Sequence, residues 1–329
     1  MQSVLKRGLC LMAAAVASTL AGTAAAETLR VAHVVSTGHI YHKAAEHLAK
    51  ELGSATGGQY EVRIFPNGQL GQEHSLIEAL RSGNLDLAFV SSANTAAFIA
   101  PMGVFSLPYI FKDSAHVGKV LNDPSILSIL DGYVTAANPG FRRVSVLPSG
   151  ERHFFSNKKV ISDVEGLSGA KIRVPPSPIA SEVWSTLGAL PVGLPLGDVY
   201  TSLQTGLIDA YEGPITSYYL SKMYEVAPFA SLTGHEHTIN FLLVSEKTWA
   251  ALPDEVKRHL ETLGSGLDEF ALEILAATDK EHAALLTEKH GVTIGEVDRS
   301  GFVERLSAMQ ATAVEKIGAG ELFQKLKGE

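Results

Sequence analysis

The pattern Leu80-x-x-Gly83-x-Leu85-Asp86 returns as Leu203-x-x-Gly206-x-Ile208-Asp209 with identical spacing. Each copy reads as a helix that ends at a glycine, the residue best able to take the left-handed conformation beyond a helix C-terminus. A strand follows two residues later. Upstream, Val62-x-Ile64-x-Pro66 is echoed by Pro191-Val192-x-Leu194. One βαβ unit used twice predicts two α/β domains with a cleft between them. The alternative is chance recurrence of a common helix-to-strand junction.

The surrounding residues fit such a layer. Leu29 to Ala32 is a short strand signal. Ala44, Ala45, Leu48, Ala49 and Leu52 recur at helical spacing. Gly57-Gly58 breaks that helix. Tyr60, Val62 and Ile64 alternate as a strand, and Leu76, Ile77 and Leu80 mark a second helix. Leu85 to Val90, interrupted only by Asp86, reads as a buried strand. Alternating strands and helices predict a mainly parallel sheet. The C-terminal third is different, because 254–290 has hardly a breaker except Gly264-Ser265-Gly266. Helical throughout, it would extend about 55 Å and pass along both domains. A kink or stop is expected at Gly264 and Gly266.

The N-terminus carries an export signal. Lys6 and Arg7 precede an apolar stretch from Leu9 to Leu20, and small residues end at Ala24-Ala25-Ala26. This is the order of a cleaved leader, with Glu27 as the expected new N-terminus and the periplasm as the expected compartment. The run is too short and alanine-rich for a membrane span. Cys10, the only cysteine, would leave with it, so no disulfide is expected. The 27 lysines and arginines fall to 25 without Lys6 and Arg7, against 35 acidic residues. That balance argues against nucleic acid. An anionic ligand would need local positive groups.

No catalytic constellation is evident: the sequence lacks G-x-S-x-G, H-E-x-x-H and Walker patterns. His235-Glu236-His237 is the nearest approach to a metal motif, but no third ligand with sensible spacing accompanies it. No cofactor and no metal are expected. Two arginines stand out. Arg173 closes the short β run Lys171-Ile172-Arg173-Val174, directly before Pro175-Pro176. A charged residue at the end of a buried strand lies where α/β sheets bind ligands, and its planar fork suits a carboxylate. Arg152 lies in Ser149-Gly150-Glu151-Arg152-His153, which reads as a polar turn between apolar runs. For each arginine the alternative is a structural ion pair.

These segments also carry a resemblance. Phe65-Pro66-Asn67-Gly68-Gln69-Leu70-Gly71, Ser106-Leu107-Pro108-Tyr109-Ile110-Phe111 and Gly169-Ala170-Lys171-Ile172-Arg173-Val174-Pro175 are three of its pieces. Leu187-Gly188-Ala189-x-Pro191-Val192 and Asp198-Val199-Tyr200-x-x-Leu203-Gln204-Thr205-Gly206-x-Ile208-Asp209 complete it. The chain resembles the solute receptors of tripartite ATP-independent periplasmic (TRAP) transporters, of the C4-dicarboxylate-binding type, over nearly all of the sequence after the leader. The resemblance implies a two-domain periplasmic binding protein (flytrap) fold, with crossing strands and a long helix spanning both domains. The expected division is 27–149 with 239–278, and 150–238 with 279–329. By resemblance, Arg173 matches the arginine that grips the ligand carboxylate, and Arg152 matches a second carboxylate partner. Glu73, Ser91 and Asn94 match contacts to the rest of the solute, and Glu212 matches an acidic residue of the site. His33 and Tyr211 are further pocket candidates, with core packing the alternative for His33. Many members carry Asn where this chain has Gly213. Sialic-acid binders carry Glu and Asn where Ser91 and Pro176 stand, so a smaller acid is expected.

The implied function is a non-enzymatic, monomeric receptor for a small organic acid. A uronate or aldonate is favoured, with a C4-dicarboxylate also open. The integral membrane subunits of a TRAP transporter are the implied partner. Two rivals stay open: service to an ATP-driven importer or a sensor kinase, and a periplasmic enzyme.

Overall fold

The computed structural model describes residues 26–328, so residues 1–25, which include Cys10 and the apolar run of the expected leader, lie outside the described residues. Nine strands form one sheet: β1 (Glu27–Ala32), β2 (Tyr60–Phe65), β3 (Leu87–Ser91), β4 (Phe141–Ser156), β5 (Lys171–Val174), β6 (Leu190–Gly193), β7 (Ala210–Pro214), β8 (Phe229–Ser245) and β9 (Thr293–Glu296). Their order is β2-β1-β3-β8-β4-β7-β5-β6, with β9 beside β8. The parallel triplet β2-β1-β3 is therefore matched by β6-β5-β7. Between the triplets run the long antiparallel strands β4 and β8, which serve both halves.

The sequence repeat is a structural one. Gly83 and Gly206 both adopt left-handed backbone, with φ of 77° and 76°. The aspartates of the pattern share a task that spacing alone does not reveal. Asp86 Oδ2 accepts the Arg30 amide of β1 at 2.9 Å. Asp209 Oδ2 accepts the Lys171 amide of β5, the equivalent strand, at 3.2 Å. Each carboxylate thus pins the central strand of its triplet to the junction that follows the helix. Asp86 is occupied in this way, and β3 begins only after it.

Burial follows the pattern expected of covered parallel strands. Leu87, Ala88, Phe89 and Val90 are each fully buried, because β3 has helices on both sides. On one side Phe89 packs with Leu48 and Leu52 of the helix Ile40–Ala55. On the other, Ala88 and Val90 join Leu76 and Leu80 of the helix Glu73–Ser82. A separate apolar group around Phe155, Tyr218 and Leu286 lies in the second half.

The stretch 254–290 is two helices, not one. Asp254–Gly264 stops, and Leu267–Glu288 begins after a short break. The second helix lies along β4 and touches both the helix Ile40–Ala55 and the helix Ile215–Leu220, so it bridges the halves. The stop falls at the expected glycines, but close packing is the reason for Gly264. A Cβ there would sit 2.5 Å from the carbonyl oxygen of Val144, and Ser145 Oγ donates to the Gly264 carbonyl at 2.6 Å. At Gly266 the nearest atom is 3.9 Å away. Gly264→Ala is therefore expected to cost about 1–3 kcal/mol through overpacking, while Gly266→Ala leaves stability nearly unchanged. Urea titration of both variants checks this. Equal midpoints would show that Gly264 serves flexibility instead.

Candidate functional site

The C-terminal ends of the two parallel triplets face a cleft of about 390 Å³ between the halves. Ligands bind beyond the carboxyl ends of such strands. Arg152, Arg173, Glu73, Ser91, Asn94, Tyr211, Glu212 and Gly213 all line it.

Arg173 is the third residue of β5, and it is 4% exposed. Its Nε donates to the Leu194 carbonyl at 2.7 Å. It has no ion-pair partner among the described residues. Burial lowers its pKa to about 10, opposed by the charge of Glu212. It remains a cation at neutral pH, with most of its donors unused.

Arg152 does not sit in a turn. It lies within β4, where Arg152 faces Glu236 of β8. The polar run from Ser149 to His153 is a strand bulged twice, with register shifts between Pro148 and Glu151 and between Arg152 and Phe154. Gly150 takes a φ of 105° there. The stretch has the polar composition of a turn, but Ser149 and Arg152 are polar where they line the cleft, and Glu151 and His153 lie 3.6 Å from each other off it. The ion-pair reading holds for this arginine. Its Nε is paired to Glu212 Oε2, its Nη1 donates to Thr238 at 3.1 Å, and its Nη2 donates to the Glu212 carbonyl at 3.0 Å. Glu236 lies 3.9 Å away. Burial works against the Arg152 charge, but Glu212 and then Glu236 outweigh it and push the pKa up. Burial would likewise raise Glu212, yet Arg152 and a contact from His235 Nε2 at 3.4 Å hold it below the usual carboxylate range. Glu236 goes the other way. Burial raises its pKa, with Arg152 only partly offsetting this.

Glu73 opens the helix Glu73–Ser82, where a carboxylate suits the helix dipole. Its Oε2 accepts from the Ser91 amide at 3.2 Å, Ser91 Oγ at 2.6 Å and Asn94 Nδ2 at 2.6 Å. Ser91 and Asn94 therefore hold Glu73 in place. Burial raises the Glu73 pKa, opposed by those bonds and by Arg173.

Tyr211 is 2% exposed, and its hydroxyl has no hydrogen-bond partner among the described residues. Gly213 leaves room beside it, since a Cβ there would meet Tyr211 Cε2 at 3.5 Å, an ordinary contact. His33 is not part of the cleft lining. It is fully buried behind Tyr41, and its Nε2 faces Nδ1 of His42 at 3.0 Å. Its backbone amide bonds Phe65, which turns the ring inward.

Several lining residues carried no sequence signal. Trp184 supplies an apolar wall and meets His235 edge-on at 5.1 Å. Thr238 and Glu236 come from β8. The only hint of them was an acid inside a long β run, and that hint was read for metal. No cluster able to hold a metal is present among the described residues. The halves also touch across the cleft. Gly197 donates its amide to Gln72 Oε1 at 3.3 Å, His39 Nε2 lies 3.1 Å from Ser217 Oγ, and a Cβ at Gly38 would sit 2.9 Å from Leu220.

Residues 31–316 match the family model of the bacterial extracellular solute-binding protein, family 7. YiiZ of Salmonella typhimurium is 32% identical over 317 residues, which is 95% of each chain. The sugar acid binding protein DctPAm of Advenella mimigardefordensis, in complex with galactonate, is 26% identical with a TM-score of 0.87, covering 92% of this chain and 98% of that one. A TRAP periplasmic solute binding protein of a Bradyrhizobium species, in complex with galacturonate, is 28% identical with a TM-score of 0.87, covering 92% and 100%.

Two expectations follow from the geometry. Arg173→Lys removes the forked donor but keeps the charge, so ligand affinity should fall roughly ten-fold to a hundred-fold, with unliganded stability held. Arg152→Ala strands Glu212 and should cost about 3–5 kcal/mol of stability. Titration calorimetry and urea melts separate the two; the reverse outcome would exchange their roles. Acid is the second probe. Burial lowers His33 and His237 to about 4, and His39 and His153 to about 3. Below about pH 6.5 the unfolded chain takes up protons that these folded rings refuse, so stability is complete above that pH and lost as it falls toward 4. The depressed Glu212 extends the loss at lower pH. A melting temperature flat from pH 7 to pH 4.5 would contradict these burials.

Proposed function

The chain belongs to the bacterial extracellular solute-binding proteins of family 7, and we propose that its cleft captures a sugar acid for uptake by a TRAP transporter. The observation that carries this reading is Arg173, a buried cation in the cleft without a carboxylate partner. An unpaired buried charge is costly. With the halves apart, water solvates it. With the halves together, only an anion in the cleft compensates it. Ligand therefore favours the closed form by its differential affinity for the two states. The galactonate and galacturonate complexes of similar proteins support a sugar acid as that anion.

In this reading the protein is a monomeric, non-enzymatic receptor, released in the periplasm by cleavage after Ala26. The contacts of Gln72 with Gly197 and of His39 with Ser217 seal the mouth of the cleft. The integral membrane subunits of the transporter respond to that closed shape. The division of the chain at 149/150, 238/239 and 278/279 fits the crossing of β4, β8 and the bridging helix between the halves.

A thermal-shift panel tests the ligand. At a hundred times its Kd, a ligand stabilises by about 2.7 kcal/mol. Galactonate, galacturonate or glucuronate should raise the melting temperature by several degrees, and Arg173→Lys should abolish most of the shift. A panel in which no sugar acid stabilises, while another solute does, would overturn the proposal.

A further inference from the structure

The cleft has two chemically opposite poles. Arg173 and Tyr211 are register partners on the adjacent parallel strands β5 and β7. Register partners on neighbouring strands point to the same face of a sheet. Among the described residues the guanidinium uses Nε alone, and the Tyr211 hydroxyl uses nothing. Both are donors, and one of them is charged. Burial raises the Tyr211 pKa, so the phenol keeps its proton.

The opposite wall offers acceptors. The Ser91 amide, Ser91 Oγ and Asn94 Nδ2 all donate to Oε2 of Glu73, Asn94 Nδ2 also lies 2.9 Å from Ser91 Oγ, and Glu73 Oε1 takes no bond among the described residues. An ionised carboxylate can only accept. It suits a ligand hydroxyl and repels a ligand carboxylate. Arg152 cannot serve a second anion without loss, because Glu212 already pairs with it.

We propose that the cleft admits polyhydroxy acids with one carboxylate and excludes those with two, Glu73 accepting a hydroxyl where a second carboxylate would otherwise lie. This inference rests on the reading of the cleft as a sugar-acid site and narrows it. The single uncompensated cation is satisfied by the first carboxylate. Two like charges about 5 Å apart, at an effective dielectric constant of about 20, repel by about 3 kcal/mol. That corresponds to a factor of about 100 in affinity.

Galactonate, galacturonate and galactarate provide the test, because the last carries a carboxylate at both ends of the same six-carbon chain. Calorimetric titration of the wild-type protein should show galactonate or galacturonate binding about 100-fold tighter than galactarate. Glu73→Gln, nearly the same shape without the charge, should shrink that gap by about tenfold or more, and its unliganded melt reports whether it folds. Galactarate binding within tenfold of the better monoacid overturns the inference while leaving a sugar-acid receptor in place. A gap that a folded Glu73→Gln does not change removes Glu73 from the role. Failure of all three acids to bind overturns the reading of the cleft itself. The wild-type comparison stands whether or not the variant folds.

Discussion

The pairing of Arg152 with Glu212 decides what the rest of the cleft can do. Two arginines within one buried site would repel each other and draw in any anion available. Glu212 prevents this by neutralising one of them from within the wall, with His235 behind it and Thr238 at its side. Charge is then concentrated on Arg173, which lies on β5 across β7 from Arg152 and, among the described residues, bonds a backbone carbonyl alone. Recognition thus depends on an asymmetry. One arginine is fixed by the protein, and the other waits for a ligand.

That asymmetry requires a wall assembled from both halves. Glu212 lies in the middle of β7 and Arg152 lies in β4, so the pair forms within one antiparallel contact of the second half. Glu236 and Thr238 arrive on β8, which continues into the first half and pairs with β3. Any rotation of one half against the other must pass through β4 and β8. The bulges at Pro148–Glu151 and Arg152–Phe154 interrupt the ladder at that crossing, and bulged strands bend more readily than regular ones. Arg152, the arginine paired to Glu212, lies at the edge of the second of these bulges.

Much of this was legible in the residues. The recurrence of Gly83 and Asp86 at Gly206 and Asp209 marked the duplicated unit, because left-handed backbone and strand pinning constrain both positions locally. Arg173 could be singled out because a cation has no reason to end a buried β run unless something pairs with it. Arg152 was misplaced for a physical reason: a polar stretch in a strand facing a wet cleft has the composition of a turn. Gly264 was read as a breaker, although its role is set by Val144, distant in sequence. Glu236 and Trp184 carried no local signal, since only the crossing of β8 and the docking of the helix Pro178–Thr186 bring them to the site. What sequence could not supply was long-range pairing, above all which acid belongs to which arginine.

The charge of the whole chain sharpens the demand on these few groups. With 35 acidic residues against 27 basic, the overall field repels an approaching anion. Attraction must come from the cleft at short range, where solvent is excluded and screening by salt is weak. A desolvated guanidinium acts strongly there, but only once the halves meet, because an open cleft returns it to water. In the proposed reading, capture and closure are consequently one event. The same low dielectric that strengthens the grip on a first carboxylate strengthens the repulsion of Glu73 toward a second. On the proposed reading, affinity and selectivity share a single origin, the exclusion of water by a wall that holds Arg173, without an ion-pair partner among the described residues, and Glu73 in the other half.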